Sequence, residues 1–351
     1  MSKKEPKIIL PWNDPVDDTG RRCSTSSYIK KIYENYPEES KQLYIQKELE
    51  SLERLKKVRE ARESDIFGLF SSQQAVYKVC CHVHVCLLNP GILSDAEIQA
   101  GIDKVNEDFR KTNADIPARW ASRAADVGIE LEWDPSTGRT DVSAPITGYP
   151  IGDEIKMSSQ GGSDPVGGAS TNESNTTVLN IWIGQIYNPA NPNSILFGYA
   201  SFPSWHPQNS TMGAPIQGVV INLQSWKKGT VAGGINGYDE GRTLTHELGH
   251  FFNLRHIWGD GDCQQDDYVT DTPRQGYDHT WCGSSTAGTD GCGAWRDPAL
   301  GTLYCPGADP DTGVNSNSCM HENPDEYDMW ENYMDYSADH CMGLFTQGQA
   351  D

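Results

Sequence analysis

The sequence predicts an α+β protein: a partly helical preface, a mixed body of strands and helices, and a loop-rich end stapled by disulfides. Three observations carry this. Residues 28–64, YIKKIYENYPEESKQLYIQKELESLERLKKVREARES, alternate charge signs around spaced Leu, Ile and Tyr, the pattern of solvated helices lying on something else. Segments with strand character and a capped amphipathic helix begin near residue 74. Six of the ten cysteines (Cys263, Cys282, Cys292, Cys305, Cys319 and Cys341) fall in the last quarter, which is rich in Gly, Asp and Pro. So few aliphatic side chains cannot fix one shape by burial, and disulfides are the usual remedy.

In chain order, residues 1–20 are polar, contain Pro and read as extended. QAVYKVCCHVHVCLL, Gln74 to Leu88, is a β-rich, partly alternating strand. Cys80, Cys81 and Cys86 lie within it among apolar residues, so at least two of them are expected in the core. SDAEIQAGIDKVNEDFRKT has Ser94 as a cap, an acidic first turn and apolar residues at helical spacing. Further strands are expected at Ile129–Trp133, Val178–Ile186 and Val219–Leu223, separated by Gly/Ser/Asn-rich loops such as SSQGGSDPVGGAS. After His256 regular structure thins out.

A chain of 351 residues can build one large or two ordinary domains. Its 28 basic and 49 acidic residues leave a net charge of -21, the wrong sign for nucleic acid or an anionic membrane surface as main partner. The same balance suits calcium or basic peptide segments. No apolar run approaches the ~20 residues of a membrane helix. The start, MSKKEPKIILPWNDP, has no apolar core of a signal peptide. The cysteines nevertheless point to an oxidising compartment, so a secreted protein whose export signal is missing from this sequence is expected, acting as a monomer.

TLTHELGHFFNLRH, Thr243 to His256, gathers three of the nine histidines. His246 and His250 are spaced to share one helix face, a turn apart. Two such imidazoles can ligate one Zn²⁺, and Glu247 can then act on a metal-held water as general base. Asp239 and Glu240 would favour the helix dipole at its start, and Leu244, Leu248 and Phe251 supply an apolar face. A continued helix would turn His256 away, so the helix must break. Asn253 is a residue that tolerates the left-handed conformation needed. Three neutral imidazoles leave one position open, as catalytic rather than structural zinc requires. The plain alternative is an ordinary amphipathic helix. A third histidine beyond a breaker argues against it and for a zinc hydrolase.

The extended motif resembles the metzincin metallopeptidases and, within them, the pappalysin family, which has Gly where Asn253 stands. The likeness runs over residues 75–349 and includes ENYMDYSADHCMGLFTQGQ, Glu331 to Gln349. It implies a twisted mixed sheet with backing and active-site helices, a Met-turn in which Met334 floors the zinc histidines, and Tyr336 near the metal to help stabilise an oxyanion. It also implies a structural calcium in CQQDDYVTDTP, Cys263 to Pro273. There Asp267 and Thr272 would be ligands, with main-chain carbonyls around Gln264 and Asp266, against the alternative of a solvated acidic loop. FGYASFP resembles the upper rim of the family's cleft. If Gly198–Phe202 is an edge strand, Gly198, Tyr199 and Ala200 could pair with an extended substrate. Some members prefer arginine through an acidic residue directly before the last cysteine. His340 holds that place here and Asp339 the one before it, from which a preference for basic residues is expected. Relatives continue through a closing helix beyond the position of Asp351, so truncation at this end is expected.

Cys23, in GRRCSTSSYIKKIYENYPEE, resembles the cysteine that pappalysin propeptides present to zinc. A thiolate there would displace the catalytic water until the segment is cut away. Arg54, Arg59 and Arg62 are candidate cleavage points. A disulfide from Cys23 to Cys80, Cys81 or Cys86, or an inert thiol, are the competing readings. The organisation implied is a propeptide over residues 1–70 and an N-terminal subdomain over 71–253 that includes the active-site helix. Residues 254–351 form a C-terminal subdomain. The function implied is a secreted endopeptidase acting on proteins or peptides with Zn²⁺ and Ca²⁺, its own propeptide serving as inhibitor. The rivals are a silent binding module keeping a relic zinc site, and a calcium- and disulfide-stabilised adhesion protein.

Overall fold

The computed structural model describes Cys23, Gln42, Gln46, Leu49, Glu50, Glu53, Arg54, Lys57 and residues 76–142, 178–188, 191–201, 218–226, 237–261, 263, 265–279, 317–319 and 326–351. Of the expected preface, the residues described between 42 and 57 are helical and exposed or half-buried.

Strand β1, Tyr77–Cys86, is the centre of the fold. Its alternation sends Cys81, Val83 and Val85 to one face, where they join the main core. His82 and His84 take the other face and stack on each other and on Trp182. Cys81 and Cys86 are buried and Cys80 is exposed, and none of the three is in a disulfide. Buried among apolar atoms, the thiols of Cys81 and Cys86 are both pushed up to about 12, which keeps them protonated and inert.

One edge of β1 pairs in succession with β2 (Ile129–Glu132) and β3 (Arg139–Val142), and the other with β4 (Leu179–Gly184). A small antiparallel pair, β5 (Tyr187–Asn188) and β6 (Asn191–Ile195), lies apart from this sheet. β4 pairs with β8 (Val219–Asn222), and β8 with the edge strand β7 (Gly198–Ala200). Every pairing in the main sheet is parallel except β7 with β8. The sheet is therefore twisted and mixed, as expected, with one antiparallel edge. The strands expected from sequence are present and somewhat shorter. β3, reading RTDV, lacks the apolar alternation that would have announced it.

Helix α1, Asp95–Phe109, starts at Ser94 in a reciprocal capping box with Glu97, whose carboxylate accepts from the Ser94 backbone N–H at 2.8 Å. Ile98, Ile102, Val105 and Phe109 form its buried stripe and meet the sheet in the core. A short helix α2, Leu223–Trp226, follows β8. Helix α3, Arg242–Phe251, packs against β7, β8 and α1. Beyond it the described chain holds only a single 3-10 turn and the short helix α4, Gln347–Ala350. Cys263 and Cys319 form a disulfide, and Cys341 is in another whose partner lies outside the described residues.

The approach of α1 to α2 depends on Gly101. A Cβ there would lie 2.5 Å from Trp226 Cζ2. Gly101→Ala should therefore destabilise the protein by about 1–3 kcal/mol through overpacking, despite the better helix propensity of alanine. Urea denaturation should show a lower midpoint with an unchanged slope.

Candidate active site and metal centre

The active-site helix is held at both ends by features of its neighbours. At its start Gly241 is left-handed, with φ 93°. The N–H groups of Glu240 and Arg242 donate to the Asp339 carboxylate at 2.9 and 3.2 Å. That remote carboxylate caps the helix and meets its positive dipole end. Asp239 and Glu240 precede the first turn instead of lying within it. Asp339, expected from the sequence as a specificity residue, is buried at this helix N-terminus.

At its end the helix closes in a Schellman motif. Asn253 is left-handed, φ 80°, and its N–H donates to His250 O, while Leu254 N–H donates to Gly249 O, both at 2.9 Å. This reversal returns His256 to the face it would otherwise leave. The ring centroids of His246, His250 and His256 lie 4.8, 5.3 and 4.5 Å apart. Their ligand nitrogens and Cys23 Sγ lie within 4.8 Å of one another, all four residues buried.

Each imidazole is fixed by its other nitrogen. His246 Nδ1 lies 2.7 Å from Tyr333 O, His250 Nδ1 lies 2.8 Å from Leu254 O, and His256 Nδ1 contacts the Asp260 carboxylate. Carbonyls and carboxylates only accept, so each Nδ1 carries the proton and each Nε2 keeps its lone pair. His250 Nε2 and His256 Nε2 then face each other at 3.0 Å. Protonating either ring would relieve this, but burial and the neighbouring His256 push His250 down to about 3. A cation shared by the two lone pairs would relieve it. The spacing is near the ~3.3 Å expected of two nitrogens on one tetrahedral zinc. The residues present therefore fit a zinc ion.

Glu247 is fully buried, and its Oε2 accepts from Cys23 Sγ at 3.5 Å. Gly198, first residue of the edge strand, faces it closely: a Cβ there would lie 2.9 Å from Glu247 Cγ and Oε1. Tyr199 and Ala200 continue that strand, and Phe202 lies outside the described residues. Cys23 makes a parallel bridge with Gly198, and its carbonyl accepts from the Tyr336 hydroxyl at 3.1 Å. The Tyr336 ring stands edge-on to His256 and Trp258, with centroids at 4.8 Å from each. Met334 lies beneath the histidine helix, and a Cβ on Gly249 would collide with its sulfur. Neither Cys23 nor Cys80, Cys81 or Cys86 is in a disulfide, which sets aside the alternative of a bridge among them.

In the acidic loop, Thr272 Oγ1 donates to Asp267 Oδ2 at 2.9 Å, and the Asp267 carboxyl is pushed well up by burial and by Asp266. Asp266 itself turns toward Arg274, and Gln264 lies outside the described residues.

Several supporting groups escaped the sequence reading. Asp260 orients His256, and Trp258 stacks on the His256 ring at 4.4 Å. Asp335, between Met334 and Tyr336, accepts from the N–H groups of Tyr336 and His279 and from Gln275 Nε2. The His279 ring sits between Asp335 and Asp328. A short distance past the motif, Asp260 could have been suspected as a histidine orienter; nothing in the sequence pairs position 279 with position 335.

Comparison with known proteins agrees with this geometry. Residues 175–297 match the peptidase M43 family model described as pregnancy-associated plasma protein-A. An extracellular metalloprotease of Arthroderma benhamiae is 36% identical over 167 residues, 47% of this chain and 47% of the relative. The chain thus spans about half the length of the first curated relatives it matches. One of Pyricularia oryzae is 27% identical over 80% of this chain and 75% of its own. Among solved structures, mature mirolysin of Tannerella forsythia in complex with a cleaved peptide is 32% identical, with a TM-score of 0.56 over 79% of this chain and 90% of that one. A promirolysin mutant from the same organism is 28% identical, with a TM-score of 0.61 over 94% of this chain and 91% of its own.

Two outcomes are expected. Asn253→Val puts a β-branched residue at positive φ and should cost about 1–2 kcal/mol, whereas Asn253→Gly should be neutral or stabilising; thermal melts of the two variants check this. Burial works against charge on His279, but Asp335 and Asp328 push it up from 6.5 to about 10. A raised folded-state pKa stabilises fully below 6.5 and is lost as pH rises through about 10. Melting temperature should fall across that window, and the fall should be shallower in His279→Gln.

Proposed function

The chain belongs to the pappalysin family of metalloendopeptidases, and on that premise we propose that it hydrolyses peptide bonds in extended segments of extracellular proteins and is held latent through Cys23. The observation that carries the reading is the convergence of three imidazoles whose Nδ1 atoms are all committed to acceptors. A zinc ion held by His246, His250 and His256 would supply Lewis acidity, polarising the scissile carbonyl and acidifying water.

The protein's own groups do the rest. Glu247, buried beside the histidines, takes a proton from the attacking water and returns it to the leaving amine. The Tyr336 hydroxyl donates to the oxyanion that develops on the carbonyl. The outer edge of β7, at Gly198–Ala200, offers main-chain groups to an extended substrate, which binds with little regard for most side chains.

The position of Cys23 supports the proposed latency. Cys23 places a thiol against Glu247 and the histidine nitrogens, and its carbonyl on Tyr336. Residues 1–70, cut at a site such as Arg54, Arg59 or Arg62, would carry both obstructions away. Calcium at Asp267 and Thr272, with nearby main-chain oxygens, would neutralise the buried carboxylate and brace the loop that follows His256. Secretion accords with the disulfides and with the extracellular relatives. Among the described residues no helix is long and apolar enough to cross a membrane.

Zinc content and casein cleavage should be measured together on protein incubated with calcium. Glu247→Gln is expected to keep one zinc per chain while losing turnover by at least the 10²–10⁴-fold typical of a general base; near-normal turnover in the zinc-loaded variant would remove Glu247 from this role. Cys23→Ser removes the thiol and leaves the two backbone contacts, so it should show slow cleavage of a test peptide before any N-terminal trimming, below the rate of the trimmed protein and above that of the parent chain.

A further inference from the structure

One buried ring joins two parts of the protein that the zinc chemistry does not itself connect. Tyr333, immediately before the Met-turn methionine, is fully buried. Its main-chain carbonyl holds His246 Nδ1 at 2.7 Å. At the other end of the side chain its hydroxyl donates to Asp108 Oδ1 at 2.9 Å, near the end of α1. Its N–H donates to Leu344 O at 3.0 Å. The residue is thus tied at backbone and hydroxyl, and the rigid phenol spans the distance between.

The anchor is itself neutralised. Asp108 Oδ1 also accepts from Arg242 Nη2 at 3.2 Å, and Oδ2 from Thr245 Oγ1 at 2.8 Å. Arg242, the first residue of the active-site helix, lies over the Tyr333 ring at 5.4 Å and donates to Asp339 O at 2.8 Å and to Met342 O. Burial opposes its charge, but Asp115 and Asp108 hold its pKa above the ordinary value. Burial and the Asp108 charge push the Tyr333 hydroxyl well up, so it remains a donor. A hydroxyl bonded to a buried carboxylate is a strong, directional tether.

We propose that Tyr333 is a positioning residue, a strut anchored on Asp108 whose carbonyl sets the orientation of the zinc ligand His246. The inference rests on the proposed reading of His246, His250 and His256 as zinc ligands. It assigns to α1, which contributes no ligand, a part in fixing the metal site. The carbonyl alone would hold His246 only as firmly as the loop that carries it. The hydroxyl bond transfers the rigidity of the helix to that loop. Groups that orient a ligating histidine typically contribute 10- to 100-fold in metal affinity.

Zinc affinity should be measured on the full chain by competition with a chelator, well below the melting temperature of the metal-free protein, with the cobalt(II) absorption spectrum as a second readout. Tyr333→Phe removes only the hydroxyl and should weaken zinc binding by about 10- to 100-fold and alter the cobalt spectrum. Thr245→Val removes a different hydrogen bond to the same carboxylate. It should lower the melting temperature while leaving zinc affinity and the cobalt spectrum unchanged. Asp108→Asn, which keeps the phenol whole on a weaker anchor, should shift affinity in the direction of Tyr333→Phe by less, and serves if that variant does not fold. Wild-type affinity in Tyr333→Phe or Asp108→Asn, or equal losses in Thr245→Val and Tyr333→Phe, overturns the strut. If the parent chain itself binds no zinc, the reading of the metal site fails instead.

Discussion

Two imidazole lone pairs facing each other across 3.0 Å form the constraint on which the rest of the site depends. Unscreened, that arrangement is repulsive, and in water each ring would turn away or take up a proton. Here each ring is held through Nδ1 by an acceptor, which stops it turning away, and burial lowers the proton affinity of His250. The fold has therefore arranged an electrostatic conflict that a cation resolves. The Schellman turn at Asn253, the cap from Asp339 and the pairing of the Met-turn segment with the helix keep the conflict in place. Removing any one of them would let a ring relax and would weaken the demand for a metal.

The supporting structure is built largely from buried charge. Asp108, Arg242, Asp339, Asp335 and His279 are almost fully enclosed, and each carries several hydrogen bonds. Burying ions is costly unless every lone pair and proton is satisfied, and such clusters add little net stability compared with apolar packing. What they supply is direction. Apolar contacts between α3 and the Met-turn, such as Met334 beneath Gly249, would tolerate sliding by an ångström. Bonds from Asp339 to the helix N-terminus and from Asp335 to the Tyr336 N–H do not. A metal site needs that precision more than it needs additional free energy.

What the sequence made legible follows from the range of the interactions. The helix break at Asn253, the capping box at Ser94 and the alternation of β1 are local, and each was readable from a few adjacent residues. Cys23 and Tyr336 became readable through family resemblance, because nothing local ties a cysteine at position 23 to a helix at position 246. Asp339 shows the limit of such a reading. Its place two residues before the last cysteine suggested a substrate contact and gave no sign that its carboxylate meets the start of a helix about a hundred residues earlier in the chain. Tyr333 and Asp108 were invisible for the same reason: a bond across 225 positions leaves no periodicity and no spacing to detect. β3 was missed because it is polar and short, and is held by its parallel pairing with β1.

Cys23 meets three of the groups assigned to catalysis with three different parts of one residue. Its sulfur reaches Glu247, its carbonyl receives the Tyr336 hydroxyl, and its main chain pairs with Gly198. In the proposed reading only the first of these contacts depends on the side chain being a cysteine. The other two are backbone contacts that any residue in that extended conformation would make. A parallel bridge to β7 also runs the segment in the direction opposite to an antiparallel substrate, so peptide bonds lie reversed relative to a productive alignment. Inhibition is then divided between chemistry and geometry: the thiol contests the metal's open position, while the reversed main chain occupies the oxyanion donor and the substrate edge. The division also explains how a lone thiol, a modest ligand in water, could remain in place. Backbone pairing raises its effective concentration at the metal for as long as the preface stays attached.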